Sequence, residues 1–281
     1  SKTTINVAQK NTTDFMVSIA AFWLVGFALM FGESAGGWIG FSPVLLAPPD
    51  LEHPTILFFL FQAMFCGTAA TIVSGAIAER CAFRGYVAIS LLVGLVIYPV
   101  VGHWVWGAGL LAGNAALLGD LGFVDFAGAT VVHGTGAAVA LAAVIVLGPR
   151  IGRFADGRPQ EIPGHNPVLS GAGALLLAVG WIGFNGGSLL AAEGDIAAIA
   201  AATVLAGVFG GIAGIVHGLL ADGGLVRVDR GINGLLGGLV AVTAAPHLFD
   251  LHDAALVGVL GGVTAHLAND LLLRKGRIDD V

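Results

Sequence analysis

Runs of about twenty apolar residues recur eight times along this chain, at 14–32, 55–78, 86–111, 126–148, 167–189, 195–221, 231–249 and 254–273. A hydrocarbon core about 30 Å thick is crossed by roughly 20 residues of helix. In lipid, every backbone N–H and C=O must find a partner within the chain, so runs of this length are committed to helices. Polar breakers separate them, among them PPDLEHP, GDLG, DGRPQEIPGHNP and DGGLVRVDRG. Composition points the same way. Of 281 residues, 57% are hydrophobic and 11% charged, against roughly 25% charged in soluble domains. Mean hydropathy is +0.91. Too few polar side chains exist to coat an apolar core of this size. The first run is also too long for the apolar region of a cleavable signal. The sequence predicts an all-α polytopic membrane protein, with a single membrane domain over 1–281.

The twelve basic residues test the count of spans. They fall in the N-terminal segment (Lys2, Lys10), after the second run (Arg80, Arg84), after the fourth (Arg150, Arg153, Arg158), around the start of the seventh (Arg227, Arg230) and in the tail (Arg274, Lys275, Arg277). The other loops carry none. One miscounted span would break this alternation. Positive charge marks the cytoplasmic side, so both ends of the chain are expected in the cytoplasm, on a plasma or inner membrane. The net charge of −6 says little about a mostly embedded chain. Cys66 and Cys81 fit neither a disulfide framework nor a metal motif. No basic, aromatic-interleaved patch points to nucleic acid. Phosphate-binding glycine loops, HEXXH-type metal spacing and a serine–histidine nucleophile are all missing from the sequence, so neither an enzyme nor a bound cofactor or metal is expected.

Ionisable groups inside a membrane are costly and mark function by default. His133 lies near the middle of the fourth run, about 12 Å along a helix from Asp125. In an α-helix its neighbours are Ala129, Thr130, Gly136 and Ala137, a small and faintly polar face that suits a crevice. A neutral imidazole can donate and accept, and so could hold a small hydrogen-bonding solute in a dry pore. A histidine bonded to a neighbouring carbonyl is the equal alternative. Asp125 opens the same span from outside, where a carboxylate caps a helix start or draws cations; capping is favoured. Phe61 and Phe65 are four apart, hence on one face, with Gln62 beside them. Trp104 and Trp106 lie in GHWVWG, and Phe184 lies in WIGFNGGS four residues before Ser188. Aromatic faces attract small cations, although an interfacial belt also fits Trp104 or Trp181. Glu79 and Arg80 are expected to pair with backbone or with each other. His103, His165, His247 and His252 sit near span ends, where solvated histidines are ordinary. His217 and His266 lie within spans without sequence-local partners.

Five segments carry a resemblance. FQAMFCGTAATIVSGAIAER, HWVWG, DFAGATVVH, GWIGFNGGS and GLVAVT stand in the order and spacing of the ammonium transporter family (Amt, methylammonium permease and Rhesus proteins), over nearly the whole chain. The resemblance implies a homotrimer of eleven-helix protomers in the bilayer, each with its own narrow pore for ammonium or ammonia. It implies an external ammonium-binding site of Phe61, Phe65, Trp106 and Ser188, and a gate of stacked phenylalanines, Phe65 and Phe184. Asp125 would be the acid of the outer vestibule. His133 would be the first of two pore histidines. In the family, ammonium is recognised outside, loses a proton near the gate, and ammonia and the proton travel on with help from the histidines.

The eight runs resemble helices two to nine of the eleven. The second pore histidine belongs to a later helix, and none of the eight histidines here stands at its motif position. The sequence therefore reads as a fragment of a longer chain, with a naturally split protein as the alternative. FWLVGFALMFG and FCGTAATIVSG resemble Amt domains fused to cytoplasmic signalling modules. They imply an ammonium sensor, with a regulatory or signalling partner on the cytoplasmic side, as the alternative to a transporter.

Overall fold

The computed structural model describes residues 2–111, 113–192 and 194–279. Eight helical rods carry the chain. α1 runs over Lys2–Ala21, widens to a π-helical turn at Phe22–Gly26 and ends with Phe27–Phe31. α2 is Thr55–Ala76, and α3 is Phe83–Trp106 with a π-turn at Val93–Ile97. α4 is Ala129–Leu147, α5 Pro167–Gly187, α6 Ile196–Ala221, α7 Val228–Thr243 and α8 Leu251–Gly276. Two-residue hairpins pair Glu33–Ser34 (β1) with Gly40–Phe41 (β2), and Phe154–Ala155 (β3) with Arg158–Pro159 (β4).

Seven of these rods are long and apolar enough to cross a membrane. The eighth expected span, 231–249, forms a helix of 16 residues, about 24 Å long. It stops at Thr243 because Pro246 follows and cannot continue the ladder. The first span begins earlier than its apolar run. Lys10, Asp14 and Ser18 recur every four residues and are all buried, so this polar face continues the helix as an inward stripe. Lys10 Nζ donates to the Cys81 carbonyl at 2.5 Å, Ser74 Oγ donates to Asn11 Oδ1, and the Tyr86 hydroxyl donates to Asp14.

Local chemistry sets several ends and irregularities. Asn166 caps α5 by accepting the Leu169 N–H at 3.0 Å, with Pro167 in the first turn, where its missing N–H costs nothing. Asp250 caps α8 by accepting from His252 and Asp253, each at 2.8 Å. Those backbone bonds hold its carboxyl below the usual range. Pro99 has no N–H to give the preceding turn, and α3 widens just before it.

The described residues divide into two compact units. The first holds the chain up to Val124, Thr130–Arg150 and Asp279. Within it α1 packs on α2 and α3, and α2 packs on α4. Its centre is aromatic: Phe22, Phe27, Phe31 and Tyr98 are fully buried. His103, expected to be solvated, is buried there as well. Its Nδ1–H donates to the Met30 carbonyl at 2.7 Å, and Nε2 accepts from Ser34 Oγ at 2.8 Å. The second unit holds Asp125–Ala129 and Ile151–Ile278. Within it α6, α7 and α8 pack closely and α5 lies on α6 and α7. Lipid tails are as apolar as leucine, so close packing rather than water exclusion holds membrane helices together. Glycines provide it. A Cβ at Gly238 would lie 2.2 Å from the Ala206 carbonyl, and one at Gly262 would lie 2.5 Å from that of Gly210.

Candidate functional site

In the first unit, α2 and α3 bring three of the expected aromatic residues together. The rings of Phe61 and Phe65, one helical turn apart, have centroids 4.4 Å apart at 47°. Phe65 lies 6.1 Å from Trp106 at 48°. Phe65 is buried, whereas Phe61 and Trp106 keep part of their surface open. Gln62 is buried beside them, its Oε1 3.5 Å from the Tyr98 hydroxyl. The result is a short series of tilted ring faces, each a patch of negative quadrupole potential for a small cation. Trp104 points elsewhere: its indole N–H donates to the Trp38 carbonyl at 2.9 Å.

His133 belongs to the same unit, on α4, which packs on α2. The helix around it is not α. Residues Ala129–Gly134 form a π-helical turn, a geometry that recurs at functional sites. The neighbours counted on a 3.6-residue period therefore shift. Gly136 does not line an opening: a Cβ there would sit 2.8 Å from the Ala69 carbonyl, so its smallness lets α4 lie against α2.

Asp125, Phe184 and Ser188 belong to the second unit. Asp125 is buried, and its Oδ1 accepts from the backbone N–H groups of Gly128 and Ala129, both at 2.9 Å. It thereby satisfies orphan donors at the start of α4. Phe184 is half-buried on α5, 5.7 Å from the ring of Trp181. Ser188 closes α5, with Oγ donating to the Phe184 carbonyl at 2.9 Å, so its lone pairs remain to accept another donor. Trp181 is no interfacial belt residue. It is buried, and its Nε1–H donates to Thr243 Oγ1 at 2.7 Å.

Three ionic clusters were not legible as such. Glu79 and Arg80 do not pair with each other. Arg150 bonds Glu79 at 2.9 Å, and Arg80 bonds Asp279 at 2.7 Å. Arg150 also reaches Asp279 at 2.9 Å through Nε. On the second unit, Arg227 bonds Glu161 at 2.8 Å and Asp229 at 3.1 Å, and those carboxylates push its guanidinium further towards the charged form. Inside that unit Arg230 holds Asp222 with two bonds, at 2.9 and 3.1 Å, which keep the Asp222 carboxyl below its usual range. His266 Nε2–H donates to the Arg230 carbonyl at 2.9 Å, and His217 stacks on His266 at 5.1 Å and 7°. These two histidines find their partners in each other and in Arg230. Among the described residues no group of three or more His, Cys, Asp or Glu could hold a metal ion.

All of residues 1–281 match the Ammonium Transporter Family. The chain belongs to the ammonium transporter family. It is 45% identical over 288 residues to the Synechocystis protein sll0537 and 41% identical over 287 residues to ammonium transporter Amt2 of Archaeoglobus fulgidus, in each case over 100% of this chain. It spans 52% and 60% of the lengths of those relatives. Among solved structures, a protein titled Sensor Amt Protein superposes with a TM-score of 0.94 at 38% identity, over 98% of this chain and 69% of its own. Mep2 of Saccharomyces cerevisiae superposes with a TM-score of 0.81 at 29% identity, over 96% of this chain and 60% of its own. With seven long apolar helices, this member of the family is a multi-pass membrane protein.

Proposed function

We propose that this chain recognises ammonium at its outer side and conducts ammonium or ammonia through a pore within each protomer of a homotrimer. The observation that carries the proposal is the ring series Phe61–Phe65–Trp106, in contact within one unit. Such faces favour a small desolvated cation by about 0.5–2 kcal/mol per ring. Ser188 accepts a hydrogen bond from the ion, which ring faces alone cannot do. Phe65 and Phe184 form the gate. Asp125 lends negative charge to the vestibule while capping α4. Past the gate a cation would lose its ring contacts and hydration together, so the proton leaves there. His133 then presents an imidazole that can donate or accept to ammonia. No covalent bond to carbon is made or broken, and the activity is transport rather than catalysis. Both ends of the chain lie in the cytoplasm.

A second reading, an ammonium receptor with little flux that signals to a cytoplasmic module, is favoured by the likeness to the sensor Amt protein. Currents on supported membranes, measured with the full-length protein, separate the two. Transport gives a saturating ammonium-dependent current, and Phe61→Ala or Trp106→Ala raises the half-saturating concentration by about 2- to 30-fold. Ammonium binding without any current would leave only the receptor, and neither binding nor current would overturn both.

A further inference from the structure

The motif GLVAVT ends in Thr243, the last residue of α7, and the proposed transport steps give it no part. Its surroundings do. The backbone carbonyl of Thr243 accepts the Ala127 N–H at 3.1 Å, and that of Ala244 accepts the Phe126 N–H at 2.8 Å. These are end-of-helix carbonyls that α7 itself cannot satisfy. They are filled by the two residues that follow Asp125. The Thr243 hydroxyl faces the other way, into a network whose members Asn185, Thr203 and Thr243 have no solvent exposure at all. Oγ1 accepts the Trp181 indole N–H at 2.7 Å. It has one hydrogen and two acceptors within reach, Asn185 Oδ1 at 3.1 Å and the Leu239 carbonyl at 2.7 Å. Asn185 Nδ2 in turn donates to Thr203 Oγ1 at 2.9 Å.

Trp181 and Asn185 are one turn apart on α5, as are Phe184 and Ser188. Fixing the first pair fixes the rotation of α5 and hence the second. The Trp181 ring rests against Phe184, and the Ser188 N–H bonds the Asn185 carbonyl at 3.2 Å. One residue therefore touches the Asp125 turn through its carbonyl and the Phe184–Ser188 helix through its hydroxyl.

We infer that Thr243 is a positioning residue that sets the register between the Asp125 turn and the helix bearing Phe184 and Ser188. The inference rests on the ammonium-site reading for its functional consequence and on geometry for the coupling itself. Without the hydroxyl, the buried Trp181 indole N–H loses this acceptor and either Asn185 Oδ1 or the Leu239 carbonyl loses its donor, a cost that a turn of α5 relieves. A valine keeps the shape and the backbone carbonyl. Serine keeps the hydroxyl.

The test uses the full-length protein with Thr243→Val, Thr243→Ser and, as a control for damage to the same network away from the turn, Thr203→Val. Thr243→Val is expected to raise the half-saturating ammonium concentration about tenfold, with Thr243→Ser near the unaltered protein and Thr203→Val shifting it far less. Hydrogen exchange followed by mass spectrometry reads the coupling without ammonium. Thr243→Val should speed exchange about tenfold both at 126–127 and around 184–188, while Thr203→Val should speed only the latter. Equal ammonium shifts for the two valine variants, or unchanged exchange at 126–127 in Thr243→Val, would overturn the inference. If the unaltered protein shows no ammonium response, the functional reading falls and the exchange result still decides the coupling.

Discussion

Asp279 shows what one buried carboxylate does at the ends of these helices. Its side chain is fully buried beside Arg80 and Arg150. Burial alone would raise its pKa. Hydrogen bonds from the Arg150 side chain and backbone, with the charges of Arg150 and Arg80, outweigh it and hold the carboxyl at about 2. An unfolded aspartate titrates near ~3.9. The folded value is the lower one, so the carboxylate stabilises the fold fully above pH ~4, and that contribution fades as pH falls towards about 2. Its size is about 2 kcal/mol. Thermal melts of the purified protein should show Asp279→Asn clearly less stable at pH 7, with the gap narrowing between pH ~4 and ~2. A gap independent of pH in that window would remove the ionic account. Glu79 and Arg80 were expected to pair with backbone or with each other; Arg80 does donate to the Ala76 carbonyl at 2.7 Å, but the ionic partners are Arg150 for Glu79 and Asp279 for Arg80. Residues 199 apart in sequence meet only once the helices have packed, and no local pattern records that meeting.

Among the elements, α6, α7 and α8 depend on backbones in contact. The chain has 44 glycines, many inside its apolar runs, and small residues let membrane helices approach closely. Which glycines bear that packing is not legible in the sequence, because a glycine facing a neighbour and one facing outward look alike in a string. The structure separates them. At Gly238 a side chain would meet the Ala206 carbonyl at 2.2 Å, whereas at Gly171 on α5 nothing lies within 4 Å. Gly238→Val should therefore destabilise by about 1–3 kcal/mol or more, and Gly171→Ala should be neutral or up to about 1 kcal/mol stabilising. Detergent unfolding curves for the two variants check this, and comparable losses for both would refute the backbone-contact explanation. The π-turns at Phe22–Gly26, Val93–Ile97 and Ala129–Gly134 escaped the sequence for a related reason. Hydrophobic period reports which residues are apolar, and one extra residue in a turn leaves that record unchanged. The sequence singles out His133 and Asp125 as residues; the π-turn that carries His133 is not legible in it.

For the whole molecule, the distribution of charge decides whether α7 is expected to cross the membrane. At 16 residues α7 falls short of the usual roughly 20, but a bilayer can thin around a short helix at modest cost. If α7 crosses, the loop before α8, which has no Lys or Arg, lies outside, and Arg274, Lys275 and Arg277 end up inside. If it does not, that bare loop is cytoplasmic and the basic tail is exported, against the positive-inside rule. Three exposed loop positions separate these outcomes: Leu121 between α3 and α4, Gln160 after the β3–β4 hairpin, and Leu248 between α7 and α8. Both native cysteines are buried, so labelling of a new thiol stands out. A membrane-impermeant maleimide added to sealed right-side-out vesicles should label Leu121→Cys and Leu248→Cys but not Gln160→Cys, and inside-out vesicles should give the reverse. Labelling of Leu248→Cys together with Gln160→Cys would show seven crossings and move the end of α8 to the outer face. Labelling of Gln160→Cys alone from outside would invert the whole chain, and with it the side of the membrane nearer to Phe61, Phe65 and Trp106.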